Sequence, residues 1–387
     1  MTPDAGLRAV LLPGLAALPE AAWAACLPDE AEGWRYHRAC EAASGPPARP
    51  MAAAVFDAAG LVLAVPLFRL AYRLNTPLQG RLARLAGGLE RLLPGLLEWR
   101  MLGVGSALTE RCPVALRPGL ADGARRHAVA ALLKLLEQEA KASGASVLAV
   151  KDLAAPEAKW LAPLLREAGH ATVPSLPVAV LDLSGMDEAA YLQSLSAATR
   201  KDLRRKQRSR AVLRIEHRDS TEGLSAAIEA LYRSTQQNSR LRYGDFEDLP
   251  PGYFDAVTRD AAGRAHLVLY WVGERLAAFN LLLLQADRVI DKFLGMAYPL
   301  GREHNLYGVS WMENVRFALA TGRPLLQFGQ TAYAEKLRLG CRLVGSTNFA
   351  RLRWGPAQPL LRAASPWLGF DRWDPDLRAA RRMAGAA

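Results

Sequence analysis

The sequence predicts an α/β (α+β) protein made of two similar domains, and three observations predict it. One order of elements runs through residues 50–181 and returns over 265–354: an apolar hairpin, a helix, a short buried strand, and a second helix closed by glycine. A period this long exceeds the roughly 20–50 residues of solenoid and propeller repeats, so the copies are domains rather than stacked units. The chain has 387 residues, 51% of them hydrophobic, enough for two domains with a core each.

Residues 1–50 read as two helical pieces, ended by Gly45, Pro46 and Pro47. The first copy opens with an apolar run, Ala53–Phe68, turned at Asp57–Gly60. Residues 74–98, rich in leucine, glycine and arginine without strand alternation, read as a loop and a short helix. Between Arg125 and Ser143, the residues Ala128, Leu132, Leu135, Leu136 and Ala140 recur at helical spacing, and Gly144 is the stop. Val147–Val150 is apolar on both faces, as a buried strand is, and a helix over 156–168 ends at Gly169. Val178–Leu183 is a further strand leading toward the second copy. Helix 222–238 and a polar loop through Tyr243–Asp245 and Pro250–Tyr253 precede a meander of strands at 266–272, 276–284 and 288–294. A helix over 305–321 ends at Gly322, Leu325–Phe328 is a buried strand, and a helix over 331–339 ends at Gly340. A last strand, 346–354, precedes a peripheral tail of prolines and arginines. The expected domains are 1–183 and 184–387.

The net charge of +11 favours anionic partners such as nucleotides, tRNA or an acidic lipid surface. Cys26, Cys40, Cys112 and Cys341 stand far apart with no CxxC, which points to reduced thiols in a cytoplasmic setting and against zinc. The first residues lack the basic segment and apolar stretch of a signal peptide. Asp57, Pro66, Arg69, Glu274 and Arg275 break the most apolar windows well short of the roughly 18 residues of a membrane span. No transmembrane segment is expected, while contact with a membrane surface stays open. There is no Ser/His/Asp order, Walker loop, HExxH or paired-cysteine spacing, which weighs against hydrolase, NTPase and metalloenzyme classes.

The sharpest charge cluster is Arg200–Arg210, where Arg200, Arg204 and Arg208 share one helical face and Lys201 and Arg205 another. A solvated linker helix is its ordinary explanation. A phosphate clamp is the functional one, because guanidinium forks match phosphate oxygens.

Meander, helix, buried strand, helix, strand is the element order of the GNAT acyltransferase fold. Two copies in tandem resemble the Fem-type aminoacyltransferases and the related CelD/BcsL-like, or FemAB-like, acetyltransferases. Asp291–Tyr298 followed by Asn305, Leu306 and Tyr307 is similar to the central strand and helix start of that group. Phe328–Lys336 with Arg338, Leu339 and Gly340 resembles its glycine-then-lysine segment. Thr199–Lys206 resembles the basic helix that opens its second domain, and Val150–Leu153 a word of its first. The resemblance implies two tandem GNAT-like domains, each a mixed, mostly antiparallel sheet flanked by helices, with the catalytic centre in the second and an acceptor-side or structural role for the first. One departure stands out. Acetyl-CoA enzymes of this fold carry a Q/R-x-x-G-x-G/A loop that holds the pyrophosphate, whereas here Gly301 and Gly308 are too far apart to form it, though Arg302 could replace part of it. Fem-type enzymes, which take aminoacyl-tRNA, also lack that loop.

Acyl transfer to an amine needs a deprotonated nitrogen, a donor to the carbonyl oxygen, and a proton for the leaving group. In a GNAT-like sheet the site opens between the two central strands, here 288–294 and 325–328. Asp291 and Lys292 are adjacent charges in a central strand, alternating in direction so that at most one faces the opening. Asp291, Tyr333 and Lys336 are the candidate catalytic residues: Tyr333 as proton donor to a leaving group, Lys336 as a neutraliser of carboxylate or phosphate. Packing of Tyr333 in the core and ordinary solvation of Lys336 are their plainer explanations. Lys292, Tyr307, Gln327 and Gln330 are candidate substrate contacts, and Lys151 and Asp152, in the equivalent spot of the first domain, candidates for acceptor recognition or domain contact. Arg200, Arg204, Arg205 and Arg302 are candidates for donor phosphate. No cofactor is expected to stay bound; acyl-CoA, an acyl-carrier protein or aminoacyl-tRNA would be co-substrate to an amine-bearing acceptor. The rival from another class is a catalytically silent module that binds RNA or an anionic surface; a second is a partner that acts only in complex.

Overall fold

The structure, a computed structural model, describes residues 6–43, 49–73, 98–238, 249–261, 263–368 and 374–378. The loop and helix expected within 74–97, the turn at Gly45–Pro47 and the loop at Tyr243–Asp245 lie outside these residues. The chain forms two compact units; of the described residues the first holds those up to Leu176, 249–251 and those from Gly345 to Asp374, and the second those from Pro177 to 238, from Gly252 to Val344 and 375–378.

The first unit holds β1 (Arg8–Leu12), β2 (Arg49–Asp57), β3 (Gly60–Arg73), β4 (Glu98–Val104), β5 (Ala115–Leu116), β6 (Val147–Ala154) and β7 (Ala171–Pro174). The second holds β8 (Val178–Asp182), β9 (Leu213–Arg218), β10 (Ala265–Val272), β11 (Arg275–Leu284), β12 (Arg288–Met296), β13 (Leu325–Phe328) and β14 (Arg342–Val344). A last strand, β15 (Ser346–Leu352), returns to the first unit. The sheet orders are β1-β2-β3-β4-β6-β15-β7, with β5 beside β3, and β9-β10-β11-β12-β13-β8-β14. They match position for position. In each, one parallel pair (β4 with β6, β12 with β13) sits among antiparallel neighbours.

The helices obey the same correspondence. In the first unit α1 (Glu20–Cys26) and α2 (Trp34–Ala42) lie between β1 and β2, α3 (Asp122–Ala142) precedes β6, and α4 (Ala155–Glu167) follows it. In the second, α5 (Glu188–Ser194) and α6 (Ala197–Gln207) lead in, α7 (Ser225–Asn238) and α8 (Tyr253–Asp260) lie between β9 and β10, and the short α9 (Leu300–Glu303) leads to α10 (Leu306–Ala320) before β13. Next come α11 (Tyr333–Arg338) and, in the first unit, α12 (Gln358–Leu368). The helix α3 buries Ala128, Val129, Leu132, Leu133 and Leu136, one apolar stripe on the first sheet. Asp187 and Ser196 cap α5 and α6 by accepting from Ala190 N (2.7 Å) and Thr199 N (3.2 Å), which fixes where each helix begins. Trp311 of α10 stacks on Phe328 of β13, centroids 4.0 Å apart and planes 6° from parallel, and so seats α10 over the parallel pair.

Three expectations need correction. The first fifty residues are not helical throughout, because Arg8–Leu12 is a strand paired with Ala52–Phe56 of β2. A five-residue apolar run carries no period that separates strand from helix. The expected boundary at 183/184 assigns 178–183 to the first domain and 346–354 to the second. The structure exchanges them: β8 lies between β13 and β14, and β15 between β6 and β7. Sequence order is a fair guide to strand neighbours, and each parallel pair here draws its next neighbour from the other half of the chain instead. Finally, the tail after 354 includes a regular helix, α12.

Candidate active site

In the second sheet the parallel pairing of β12 with β13 runs from Arg288/Leu325 to Asp291/Phe328 and ends there. The strand β12 continues to Met296, paired from then on only with β11. The two strands therefore fork just after Asp291, where the sequence places the opening. A bulge marks the spot. Leu281 opposes Phe293 and Leu282 opposes Asp291, so Lys292 is an extra residue with no partner position on β11. The expected strict alternation of Asp291 and Lys292 is therefore broken, since a bulge re-aims the side chains around it. The Lys292 ammonium lies 5.6 Å from the Phe293 ring centre.

Asn280, fully buried on β11, donates its side-chain N–H to Asp291 Oδ1 at 2.9 Å. Nothing in the sequence reading singled Asn280 out, although one amide within the apolar run Leu276–Leu284 is the kind of buried polar residue that needs a partner. Tyr307, in the first turn of α10, has its phenol raised by burial and then by Glu335 and Asp291. The charges of Glu335 and Asp291 thus both reach the Tyr307 phenol.

From the other strand, Gly329 follows β13, Gln330 stands in the bend beyond it, and Ala332 takes a left-handed backbone (φ 52°) to start α11. Lys336 is not the solvated lysine of its plainer explanation; it is 6% exposed and donates from Nζ to the Gly329 carbonyl. Tyr333 is fully buried and donates its hydroxyl to Pro177 O at 2.7 Å, so that proton is already engaged in the core. Gln327 points to the sheet face opposite Phe328, buried, and accepts from Arg288 at 3.2 Å.

The basic residues do not converge. Arg200 donates to the carbonyls of Leu192, Gln193 and Leu195 at 3.1–3.3 Å and closes the C-terminal end of α5. Arg205 pairs with Asp202 at 2.8 Å. Arg204 is exposed. Arg302 lies over the Tyr298 ring, 5.4 Å from its centre. The expected clamp of Arg200, Arg204 and Arg205 is thus split among separate tasks. Instead α6 closes onto α10 and α11. Lys206 reaches Asp202 (2.9 Å) and Glu335 (3.7 Å), Arg338 joins Asp202 (3.1 Å), and Gln207 donates to Gly308 O at 2.8 Å. Lys206 and then Arg205 hold the Asp202 carboxyl far below its usual range. A Cβ on Gly308 would sit 2.8 Å from Lys206 Cδ, so the first turn of α10, where this fold usually holds a pyrophosphate, is packed against α6.

Lys151 and Asp152 lie on β6, the counterpart of β13, so their partners by position are Gly329 and Gln330. Lys151 donates to Thr109 O at 2.8 Å and pairs with Asp152. Asp152, 2% exposed and at φ 56°, accepts from Ser175 through its carboxylate; its N–H donates to Asn348 Oδ1 at 2.7 Å and its carbonyl accepts from Cys112 N at 3.0 Å. Burial, and then Asp152, push the Cys112 thiol up to about 12.

The family of acetyltransferase (GNAT) domains matches residues 197–337. Among solved structures, FemX is 13% identical with a TM-score of 0.54 over 85% of this chain and 93% of its own. The L-PGS structure from Bacillus licheniformis is 11% identical with a TM-score of 0.52 over 92% and 98%. A tandem GNAT protein of the clavulanic acid biosynthesis pathway is 14% identical with a TM-score of 0.50 over 89% and 98%. Curated relatives from two Mycobacterium tuberculosis strains, both described as "Putative 8-amino-7-oxononanoate synthase 2", are 26% identical over 275 residues, 68% of this chain. The chain spans about a third, 34%, of their length.

Proposed function

We propose that this chain, a tandem GNAT protein in fold with a GNAT acetyltransferase domain at 197–337, transfers an acyl or aminoacyl group from an activated donor to an amine. The observation that carries the reading is the fork after Asp291/Phe328, a gap in a parallel pair where a planar carbonyl can lie against strand backbone. Backbone donors alternate sides along a strand. Ala297 N–H goes to Ala277 O, back along β11, while Met296 N–H, on the other side, goes to Thr235 Oγ1 at 2.7 Å. The Leu294 N–H, two residues before Met296, points the same way, into the fork, and suits the oxygen that gains charge as nitrogen attacks. Asp291, held by Asn280, would take the proton from the incoming ammonium. Lys336 would balance negative charge on the donor or on the collapsing intermediate, and Tyr307 would line the opening.

The packed first turn of α10 disfavours a pyrophosphate seated there. The donor would then be an aminoacyl-tRNA, a carrier-bound acyl group, or an acyl-CoA held another way. The test is to incubate the chain separately with acyl-CoA, acyl-carrier protein and charged tRNA, with a panel of amines, and to follow donor consumption. One donor should be consumed with amine present, and Asp291→Asn should slow that by about 10²-fold. Consumption of none, with salt-sensitive RNA binding in its place, would instead support the silent binding module.

A further inference from the structure

The helix α12 shows a stripe of apolar side chains to solvent. Its fully buried residues are polar, with Leu361 half-buried between them: Gln358 (8% exposed) accepts from Leu352 N at 2.8 Å and donates to Gly169 O (2.9 Å) and Ala350 O (3.2 Å), and Ser365 (7% exposed) donates to Arg362 O. Its outward residues, Arg362 apart, are apolar. Leu360 is 69% and Trp367 64% exposed, and Ala363 and Ala364, also exposed, fall between them at helical spacing. Trp354, just before the helix, is 69% exposed as well. Scattered apolar residues on a surface need no explanation, but a contiguous exposed stripe at helical spacing, Leu360, Ala363, Ala364 and Trp367, does. Charge indicates the occupant. From Gly345 to Leu368 the chain has Arg351, Arg353 and Arg362 and no acidic residue, within a molecule of net charge +11; Glu137 neutralises Arg351, while Arg362 donates to a neutral carbonyl, Gly169 O, and keeps its charge. Arg353 makes no ion pair among the described residues and lines, with Trp354 and Ser146, an open cavity of about 400 Å³. Tryptophan, short aliphatic side chains and arginine together suit the boundary between headgroups and acyl chains, where indole rings rest and guanidinium groups meet phosphate.

We infer that the apolar face of α12, with Trp354 and Arg353, docks on the surface of an anionic phospholipid bilayer. This is independent of the acyl-transfer reading, because every residue involved belongs to the first unit and the fork to the second. The test is sedimentation of the full chain with phosphatidylcholine vesicles, with and without phosphatidylglycerol, at low and high salt, alongside Leu360→Glu/Trp367→Glu and, separately, Ala364→Glu. The substituted positions are exposed, and thermal melts of each variant check folding. We expect the wild-type chain to sediment with phosphatidylglycerol vesicles, with blue-shifted tryptophan emission and weaker binding in high salt. The double variant should bind at least tenfold more weakly and Ala364→Glu should weaken binding to a lesser degree. No binding to the anionic vesicles, or equal binding by folded variants, overturns the proposal. So does concentration-dependent self-association without lipid that the double variant abolishes, which would assign the face to a second copy of the chain.

Discussion

The same fork occurs twice, and its two versions have opposite contents. In the first sheet the parallel pairing stops at Val104/Val150, and the next residues are at once tied together. A Cβ on Gly105 would stand 3.2 Å from Lys151 O, Cys112 N reaches Asp152 O, and Lys151 caps Thr109 O. The gap is a knot of local bonds around one buried carboxylate. In the second sheet β12 runs on past its partner with a bulge after Asp291, and a buried lysine of α11 donates to Gly329 O, just past the end of β13. One architecture thus closes on local bonds in one unit and leaves β12 unpaired with β13 beyond Asp291 in the other. What distinguishes them is the residue just past the pairing on each strand: Gly105 and Lys151 in the first, Lys292 and Gly329 in the second.

The largest effect should come from breaking the knot. Asp152→Ala leaves the Lys151 ammonium, the Ser175 hydroxyl and their neighbours without their buried acceptor. Loss of one partner of a buried ion pair costs about 3–5 kcal/mol. Urea unfolding should show a loss of unfolding free energy of that size in the first unit, and a loss below about 1 kcal/mol would mean the knot is ornamental. The counterpart change at the open fork should act on rate instead. Lys336→Met keeps the volume of the side chain and removes its charge. Turnover should fall about 10²–10³-fold, while Lys151→Met costs stability and spares turnover in the folded fraction. Equal effects of the two on rate would erase the distinction between the forks.

The sequence carried the duplication, the meander and its following helix, because these rest on hydrophobic period and glycine stops, and the position of the fork came only from the resemblance to the GNAT fold. It did not carry the exchange of β8 and β15. Both are short apolar strands, and nothing in Val178–Asp182 or Ser346–Leu352 records which sheet receives them. The placement of Asp291 and Lys336 near the fork was legible, since charges in or beside a buried strand need a reason. The bulge at Lys292 was not, being a property of pairing with β11. The scattering of Arg200, Arg204 and Arg205 was equally hidden. Helical spacing says which arginines share a face, but not that carbonyls at the end of α5 and the Asp202 carboxylate are waiting for two of them.

A smaller effect separates the units by pH. His170 of the first unit is buried, donates from Nδ1 to Leu165 O at 3.1 Å, and is pushed down to about 4, chiefly by that burial. An unfolded imidazole takes up its proton near 6.5, so between about 6.5 and 4 the unfolded chain binds more protons than the folded one. The stability from the neutral ring is complete above 6.5 and drains as pH falls toward 4, by about 3 kcal/mol in all. His170→Asn should be less stable at pH 7.5 and should lose less than the wild type on acidification. An unchanged slope in denaturant midpoints against pH would remove the ring from the account.

The smallest effect discriminates between two jobs for one hydroxyl. Tyr333 stands beside the fork in sequence and was a candidate proton donor, yet its O–H is spent on Pro177 O inside the core of the second unit. Removing that oxygen leaves one carbonyl without its partner and deletes no apolar contact, which costs about 1 kcal/mol. Tyr333→Phe should therefore lower the melting temperature by a few degrees and leave turnover within about twofold once the folded fraction is counted. If the phenol instead protonates a leaving group, the variant loses rate far out of proportion to its stability, and an added weak acid restores part of it. That result would bring Tyr333 into the fork with Asp291 and Lys336, and would mean that the Pro177 bond is given up when substrate arrives.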